Sequence, residues 1–266
     1  MGMVRTNNED NLFVNGVFLP PDVCESAFAI DGNTRSAAIF AVCDGMGGEE
    51  NGEIAAQIAV KTLSDLSDLI IASASNSPDK LNEAVQSFVN EVNERIRTEA
   101  DVSGMRMGTT LALAMISDID TRCFNMGDSR VYCLKKAVFK QITNDHTLAA
   151  ERIVPGSRIY DHAIATDVGN KLTRCIGIGN VLTVERYPPI LGKCRLLICS
   201  DGLTDMVSAA EIEDVMRTYD RVSDAADAFI KLSLTNGGND NVTVIVIDIK
   251  YSTMHVLRKC LKRLKR

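Results

Sequence analysis

The chain has 266 residues, 45% hydrophobic and 24% charged, with a net charge of −6. That is the composition of an ordinary soluble globular protein, long enough for one large domain. No apolar run reaches the roughly 18 residues that span a bilayer, MGMVRTNNEDN lacks the apolar stretch of a secretory signal, and the acidic body before Lys250 excludes a typical nucleic-acid binder.

In chain order, an apolar run predicts a buried strand over residues 36–44, ending in Asp44. Residues 51–75 predict a helix, with Asn51 or Gly52 near its start and Ile54, Ile58 and Leu63 on its apolar face. SNSPDK breaks it. Leu81, Val85, Phe88, Val92 and Ile96 recur at helical steps and predict a second helix over 79–101. GTTLALAMISDID, TRCFNMGDSRVYCLK and AVFKQIT then change to strand period and predict an antiparallel meander joined by short turns. Residues 146–171 are irregular. VLTVERYPPI and CRLLICSD predict strands, 208–219 and 223–235 two helices, and NVTVIVIDIK a last strand. Grouped helices and grouped strands are an α+β order, and one domain is the simplest division.

Eight cysteines (24, 43, 123, 133, 175, 194, 199, 260) form no CxxC, and most sit in apolar runs. They are expected to be reduced, small buried side chains of a cytoplasmic protein.

The acids carry the functional signal. Asp44 is followed by Gly45, Met46, Gly47 and Gly48, and LLICSDGLTD repeats the pattern at Asp201-Gly202. Asp240 precedes a buried strand, Asp128 sits among strands, and Glu9 and Asp10 lie near the N-terminus. An Asp-Gly pair is ordinarily a turn. A hairpin turn needs a strand on both sides, whereas Asp44 and Asp201 each stand between a strand and a helix. Strand ends that bring carboxylates together need cations, and an all-oxygen donor set favours Mg²⁺ or Mn²⁺. Glycines beside the acids allow a backbone carbonyl or a substrate to approach closely. GMGGEENGEI lacks the Lys-Ser/Thr of a P-loop. His146, His162 and His255 lack zinc-ligand spacing, and no CxxxxxR or GxSxG nucleophile motif occurs.

RTNNEDN (5–11), AVCDGMGG (41–48), GTTLALA (108–114), NMGDSRVY (125–132), LTRCIG (172–177), LLICSDGLTDMVS (196–208) and GGNDNVTVIVI (237–247) follow one another in a single order. Together they resemble the metal-dependent serine/threonine protein phosphatases, the PPM or protein phosphatase 2C-like family, and its bacterial branch in particular, over nearly all of residues 1–250. The resemblance implies a four-layer α/β/β/α sandwich with two central antiparallel sheets and metals held at one end between them. It implies Asp44 as the carboxylate bridging two Mn²⁺ or Mg²⁺ ions, the Gly45 carbonyl on the second ion, and Asp201 and Asp240 on the first. Glu9 and Asp10 would hold metal-bound water, Asp128 with Asp201 a third, weaker ion, and Arg5 the substrate phosphate.

The activity implied is hydrolysis of phosphoserine and phosphothreonine in proteins by a metal-bridging hydroxide, with no covalent enzyme intermediate. The partners implied are phosphoproteins, targets of a Hanks-type serine/threonine kinase, met by a monomer. The alternative, a catalytically silent phosphoprotein-binding relative, is opposed by the presence of Asp44, Asp201 and Asp240. A hydrolase of small phosphate esters is a third reading that the motifs do not exclude.

Met46 stands where many eukaryotic relatives have a histidine able to protonate the leaving group, so a metal-bound water is the expected acid, with His146 structural. Only four residues precede Arg5, where the family usually has a strand, so a shortened first strand or an upstream start is expected. Residues 147–170 occupy the variable flap. In the tail, residues 251–266, MHVLRKCLKRLKR spaces Leu257, Leu261 and Leu264 as on a helix among cations. It is a solvated, frayed helix or a basic amphipathic one (254–266) resting peripherally on an anionic membrane or an acidic partner.

Overall fold

A computed structural model describes residues 2–20, 28–33, 37–47, 51–152, 171–178 and 182–250. The basic tail, most of the flap, Cys24 and Cys260 lie outside them. Two antiparallel sheets are stacked between two helical layers, as the resemblance implied. The first sheet contains β1 (Asp10–Val14), β2 (Val17–Phe18), β3 (Ala38–Met46), β4 (Gly108–Thr109), β5 (Leu111–Ile116), β6 (Thr121–Met126) and β9 (Glu185–Arg186). The second contains β7 (Arg130–Lys135), β8 (Val138–Gln141), β10 (Cys194–Cys199) and β11 (Val244–Ile249).

Strand alternation builds the layers. Ile39, Ala41 and Cys43 of β3 face α1 (Gly52–Asn76) and α2 (Pro78–Ser103), while Ala38, Phe40 and Val42 face the second sheet. Leu196 and Ile198 of β10 meet them there. Leu197 and Cys199 point outward to α4 (Asp201–Thr204), α5 (Ala209–Thr218) and α6 (Val222–Thr235). The five apolar positions that predict the second helix are all buried on α2. Ser77 alone separates α1 from α2: its N–H donates to Ser73 O and its hydroxyl accepts from Lys80 N at 3.1 Å. The six described cysteines whose state is defined are buried free thiols. No described helix is long and apolar enough to cross a membrane.

Several expectations need correction. The strand predicted to end at Asp44 continues to Met46, because Gly45 and Met46 pair with Thr109 and Gly108 of β4. The meander is broken: β5 and β6 belong to the first sheet and β7 and β8 to the second. Gly127, at φ +108°, turns the chain across the gap between them. The described part of VLTVERYPPI, residues 182–190, provides the two residues of β9 and an isolated bridge at Ile190. A short helix, α3 (Leu148–Arg152), occupies the start of the segment expected to be irregular. The β1–β2 hairpin was legible but passed over: Asn15 and Gly16, both at positive φ, make the Asn-Gly turn that favours a two-residue hairpin.

Candidate metal centre

Register brings the first acids together. Asp10 opens β1 directly opposite Asp44 of β3. Both share the parity of residues facing the second sheet, so both carboxylates point into the end of the gap between sheets. Ser200, following β10 on the same parity, donates its hydroxyl to Asp10 Oδ2 at 2.7 Å. Asp201 is the next residue and starts α4, and its carboxylate is in hydrogen-bond contact with that of Asp44. Asp128 enters from the turn between β6 and β7. Asp10, Asp44, Asp128 and Asp201 therefore share one electrostatic neighbourhood at one end of the sandwich.

Their protonation reflects crowding. Burial first, then the charges of Asp10 and Asp201, hold Asp44 well above the usual carboxylate range. Burial, reinforced by Asp201, pushes Asp128 up to about 7. Burial also raises Asp10 to about 7, although hydrogen bonds from Thr243 and Ser200 pull the other way. Asp201 is raised to about 6, chiefly by burial, and its buried Oδ1 has no hydrogen-bond partner among the described residues. Crowded acids whose protonated forms are favoured by burial, beside an acid oxygen without a partner, are a donor set that fits a divalent cation.

The remaining predicted residues stand close by with other partners. Arg5 donates to Asp240 Oδ2 at 2.8 Å and lies 4.0 Å from Glu9. Glu9 accepts the Gly52 N–H at the start of α1. The oxygen of Gly45 faces the same glycine, so close that a side chain on Gly52 would meet it at 2.7 Å. With Asp240 held by Arg5 and Asp10 by Ser200, no three acid, histidine or cysteine side chains among the described residues converge as a ready-made ligand cage.

The sequence reading missed the groups that hold the acids in place. Asp44 N–H donates to Thr110 Oγ1 at 3.0 Å, and Asp44 O accepts from Thr110 N–H and from Thr109 Oγ1. Thr110 and Ser129 hydroxyls meet at 2.6 Å, tying that clamp to the Asp128 turn. The signal was present in GTTLALA, where two polar β-branched residues interrupt an apolar strand. Asn241 accepts from Glu9 N–H and donates to Asn7 O, fastening the N-terminal segment to the Asp240 loop. Glu53, in the first turn of α1, was not singled out, and its Oε2 is buried without a hydrogen-bond partner among the described residues. His146 is structural: Gly127 N–H donates to its Nδ1, which leaves Nε2 to donate to Glu185 at 2.6 Å.

Thr110→Val tests the clamp. It leaves the Asp44 N–H without its side-chain acceptor, and groups that orient metal ligands commonly contribute 10- to 100-fold. Turnover should fall by roughly that factor and urea stability by about 1–3 kcal/mol. Unchanged turnover in the folded variant would show that the clamp does not position Asp44.

The family model for protein phosphatase 2C matches residues 22–236. The serine/threonine phosphatase stp of Listeria innocua is 34% identical over 252 residues, covering 93% of this chain and 92% of that protein. The protein phosphatase PhpP of Streptococcus pneumoniae is 29% identical and covers 94% of both. The crystal structure of a bacterial serine phosphatase superposes with a TM-score of 0.78 at 25% identity, over 94% of this chain and 95% of that one. The catalytic domain of the phosphatase PstP, solved with two manganese ions, gives a TM-score of 0.70 at 29% identity over 94% of each chain.

Proposed function

The chain belongs to the protein phosphatase 2C family, and on that premise we propose how its own residues divide the work of a protein serine/threonine phosphatase. It requires divalent metal ions and acts on phosphoserine and phosphothreonine in proteins. The observation that carries this is the crowding of buried acids at the end of the inter-sheet gap, where Asp44 lies directly opposite Asp10, shares an electrostatic neighbourhood with Asp128 and Asp201, and the buried Asp201 Oδ1 has no hydrogen-bond partner among the described residues.

Asp44, the Gly45 carbonyl, Asp201 and Asp240 would hold two ions, Mn²⁺ or Mg²⁺, with Asp128 and Asp201 at a third. When bound, such ions supply water activation near neutral pH and offset phosphoryl charge. Glu9 and Asp10 would orient water: both carboxylates are already fixed, one by Gly52 N–H and the other by Ser200. Arg5 is half exposed, at 48% for its side chain, and presents a planar fork that can leave Asp240 for two phosphate oxygens. That would place the ester in line with the water. Met46 has no proton to give, and His146 is committed to Gly127 and Glu185, so neither protonates the leaving alkoxide. The phosphate would be installed by a Hanks-type kinase, and the enzyme would act as a monomer.

Hydrolysis of p-nitrophenyl phosphate and of a phosphothreonine peptide, each with Mn²⁺, Mg²⁺ or EDTA, tests this. Turnover should vanish in EDTA and return with excess metal. Undiminished turnover in EDTA would overturn the mechanism.

A further inference from the structure

A cavity of about 190 Å³ lies beside the metal centre, lined by Arg97 and Asp101 of α2, by Arg106 and Met107, and by Gly177 and Ile178. Its floor is continuous with the site. Thr109 and Ile176 exchange backbone hydrogen bonds at 2.9 Å, and Gly177 N–H donates to Asn93 of α2 at 3.0 Å. Gly108, next to Met107, pairs with Met46, two residues beyond Asp44. The Cys175 thiol under this floor is pushed up to about 11, mainly by burial; the Asp128 charge adds to this and the Arg106 charge opposes it. One buried thiol thus lies within the fields of both the metal-centre acid and the cavity arginine.

The charge of the cavity is unusual for this chain. Most described arginines are ion-paired, including Arg5, Arg95, Arg122, Arg130 and Arg195. Arg97 and Arg106 make no ion pair or hydrogen bond with any described residue. Asp101 in the same wall offsets one of the two charges. Among its described lining residues the charge is net positive, on an acidic protein and beside a site that takes an anionic ester. Ile178 in its lining is 38% exposed, and Met105, the residue before Arg106, is 48% exposed, so apolar surface suited to a peptide adjoins the charge.

We propose that this cavity receives an acidic group of the phosphoprotein substrate, a side-chain carboxylate or a second phosphoryl group, three to four residues from the phosphoserine or phosphothreonine. The spacing follows from the sheet. The β3–β4 pairing sets Gly108 opposite Met46, two residues beyond Asp44, and Arg106 lies two residues further from Gly108 along its own chain; four residues of extended chain span at most roughly 13 Å. An extended peptide anchored by its phosphate covers that distance in the same number of residues. The inference rests on the phosphatase reading and names the sequence context that the site selects.

The test uses the full chain with Mn²⁺ and phosphothreonine peptides that are neutral, or that carry Glu or a non-hydrolysable phosphonate analogue of phosphoserine four residues before or after the phosphothreonine. Each is assayed on wild type, Arg97→Gln, Arg106→Gln and the double variant at low and high salt. Hydrolysis of p-nitrophenyl phosphate in parallel reports the metal centre by itself. In wild type at low salt, kcat/KM for an acidic peptide should exceed that for the neutral one by about five- to tenfold. The ratio should fall toward one in the double variant and in high salt. Whether Glu or the phosphonate gives the larger ratio identifies the source of the anion. Phosphopeptide turnover with no acidic preference, or with a preference that survives the double substitution, overturns the inference and leaves the phosphatase reading standing. No turnover of any phosphopeptide under any metal would remove that reading and the inference together.

Discussion

Asp44→Asn should abolish phosphopeptide turnover, by roughly 10³-fold or more, and leave the fold intact. Replacing the carboxylate by its isosteric amide removes one negative charge from the centre of the acid cluster. A charge interaction at about 4 Å is worth roughly 4 kcal/mol at the effective dielectric near a protein surface, which converts to about three decades in rate. Stability should move differently. Asp44 lies directly across the strands from Asp10, and burial and the charges of Asp10 and Asp201 both disfavour its ionised form, so the wild-type side chain is electrostatically crowded. An amide can still donate to Asp201 without adding charge. In EDTA the variant should therefore melt no lower than wild type. With Mn²⁺ at about 100 times its dissociation constant, wild type should gain roughly 2.7 kcal/mol from ligand linkage, and the variant should lose most of that gain. Thermal melts with and without metal, beside a turnover assay, check both halves. An Asp44→Asn enzyme with wild-type turnover, or with an undiminished Mn²⁺-dependent rise in melting temperature, would remove Asp44 from the centre. A lower melting point in EDTA would contradict the crowding argument alone.

That separation of stability from activity explains what was legible in the sequence. Charged acids at the ends of apolar strands conflict with their local setting, and such conflicts stand out without coordinates. Asp44 and Asp201 were visible for that reason, as were helices such as α2, whose apolar face follows one period for several turns. What stayed hidden depends on pairing. The strand period of TRCFNMGDSRVYCLK is the same whether its two halves lie in one sheet or two, and only the turn at Gly127 decides. Likewise, nothing local tells Thr109 and Thr110 that they will face the backbone of Asp44, some 65 residues earlier in the chain. Nothing local singles out Arg97 and Arg106 either; only the fold sets the two in one cavity wall.

The glycines next to the acids were read as places of close approach, and the structure specifies what approaches. A Cβ on Gly45 would lie 1.9 Å from Gly52 O, and one on Gly202 would lie 1.9 Å from Asn241 O. Neither glycine has a positive φ, so space and not backbone conformation requires them. At Gly202 the obstacle is the chain carrying Asp240, whose own Cβ would be 3.4 Å away. Asn241 also accepts from Glu9 N–H, so displacing it disturbs three proposed site residues at once. Gly202→Ala should cost about 3 kcal/mol or more, the upper range for overpacking a rigid contact. In the fraction that remains folded, turnover should fall at least 10²-fold, as a misplacement of about 1 Å at a reacting centre can cause. Gly104→Ala is the control. It caps α2 at φ +71° with nothing within 4 Å of its missing Cβ. Alanine there should cost about 1 kcal/mol of conformational strain and no turnover in the folded protein. If Gly202→Ala behaved like Gly104→Ala, losing stability but keeping full turnover once folded, the Asp201 and Asp240 segments would not need each other's positions for catalysis. Urea titration with turnover corrected for the folded fraction distinguishes the two outcomes, and the predicted one means that the Asp-Gly pair sets the spacing between two ligand-bearing chains.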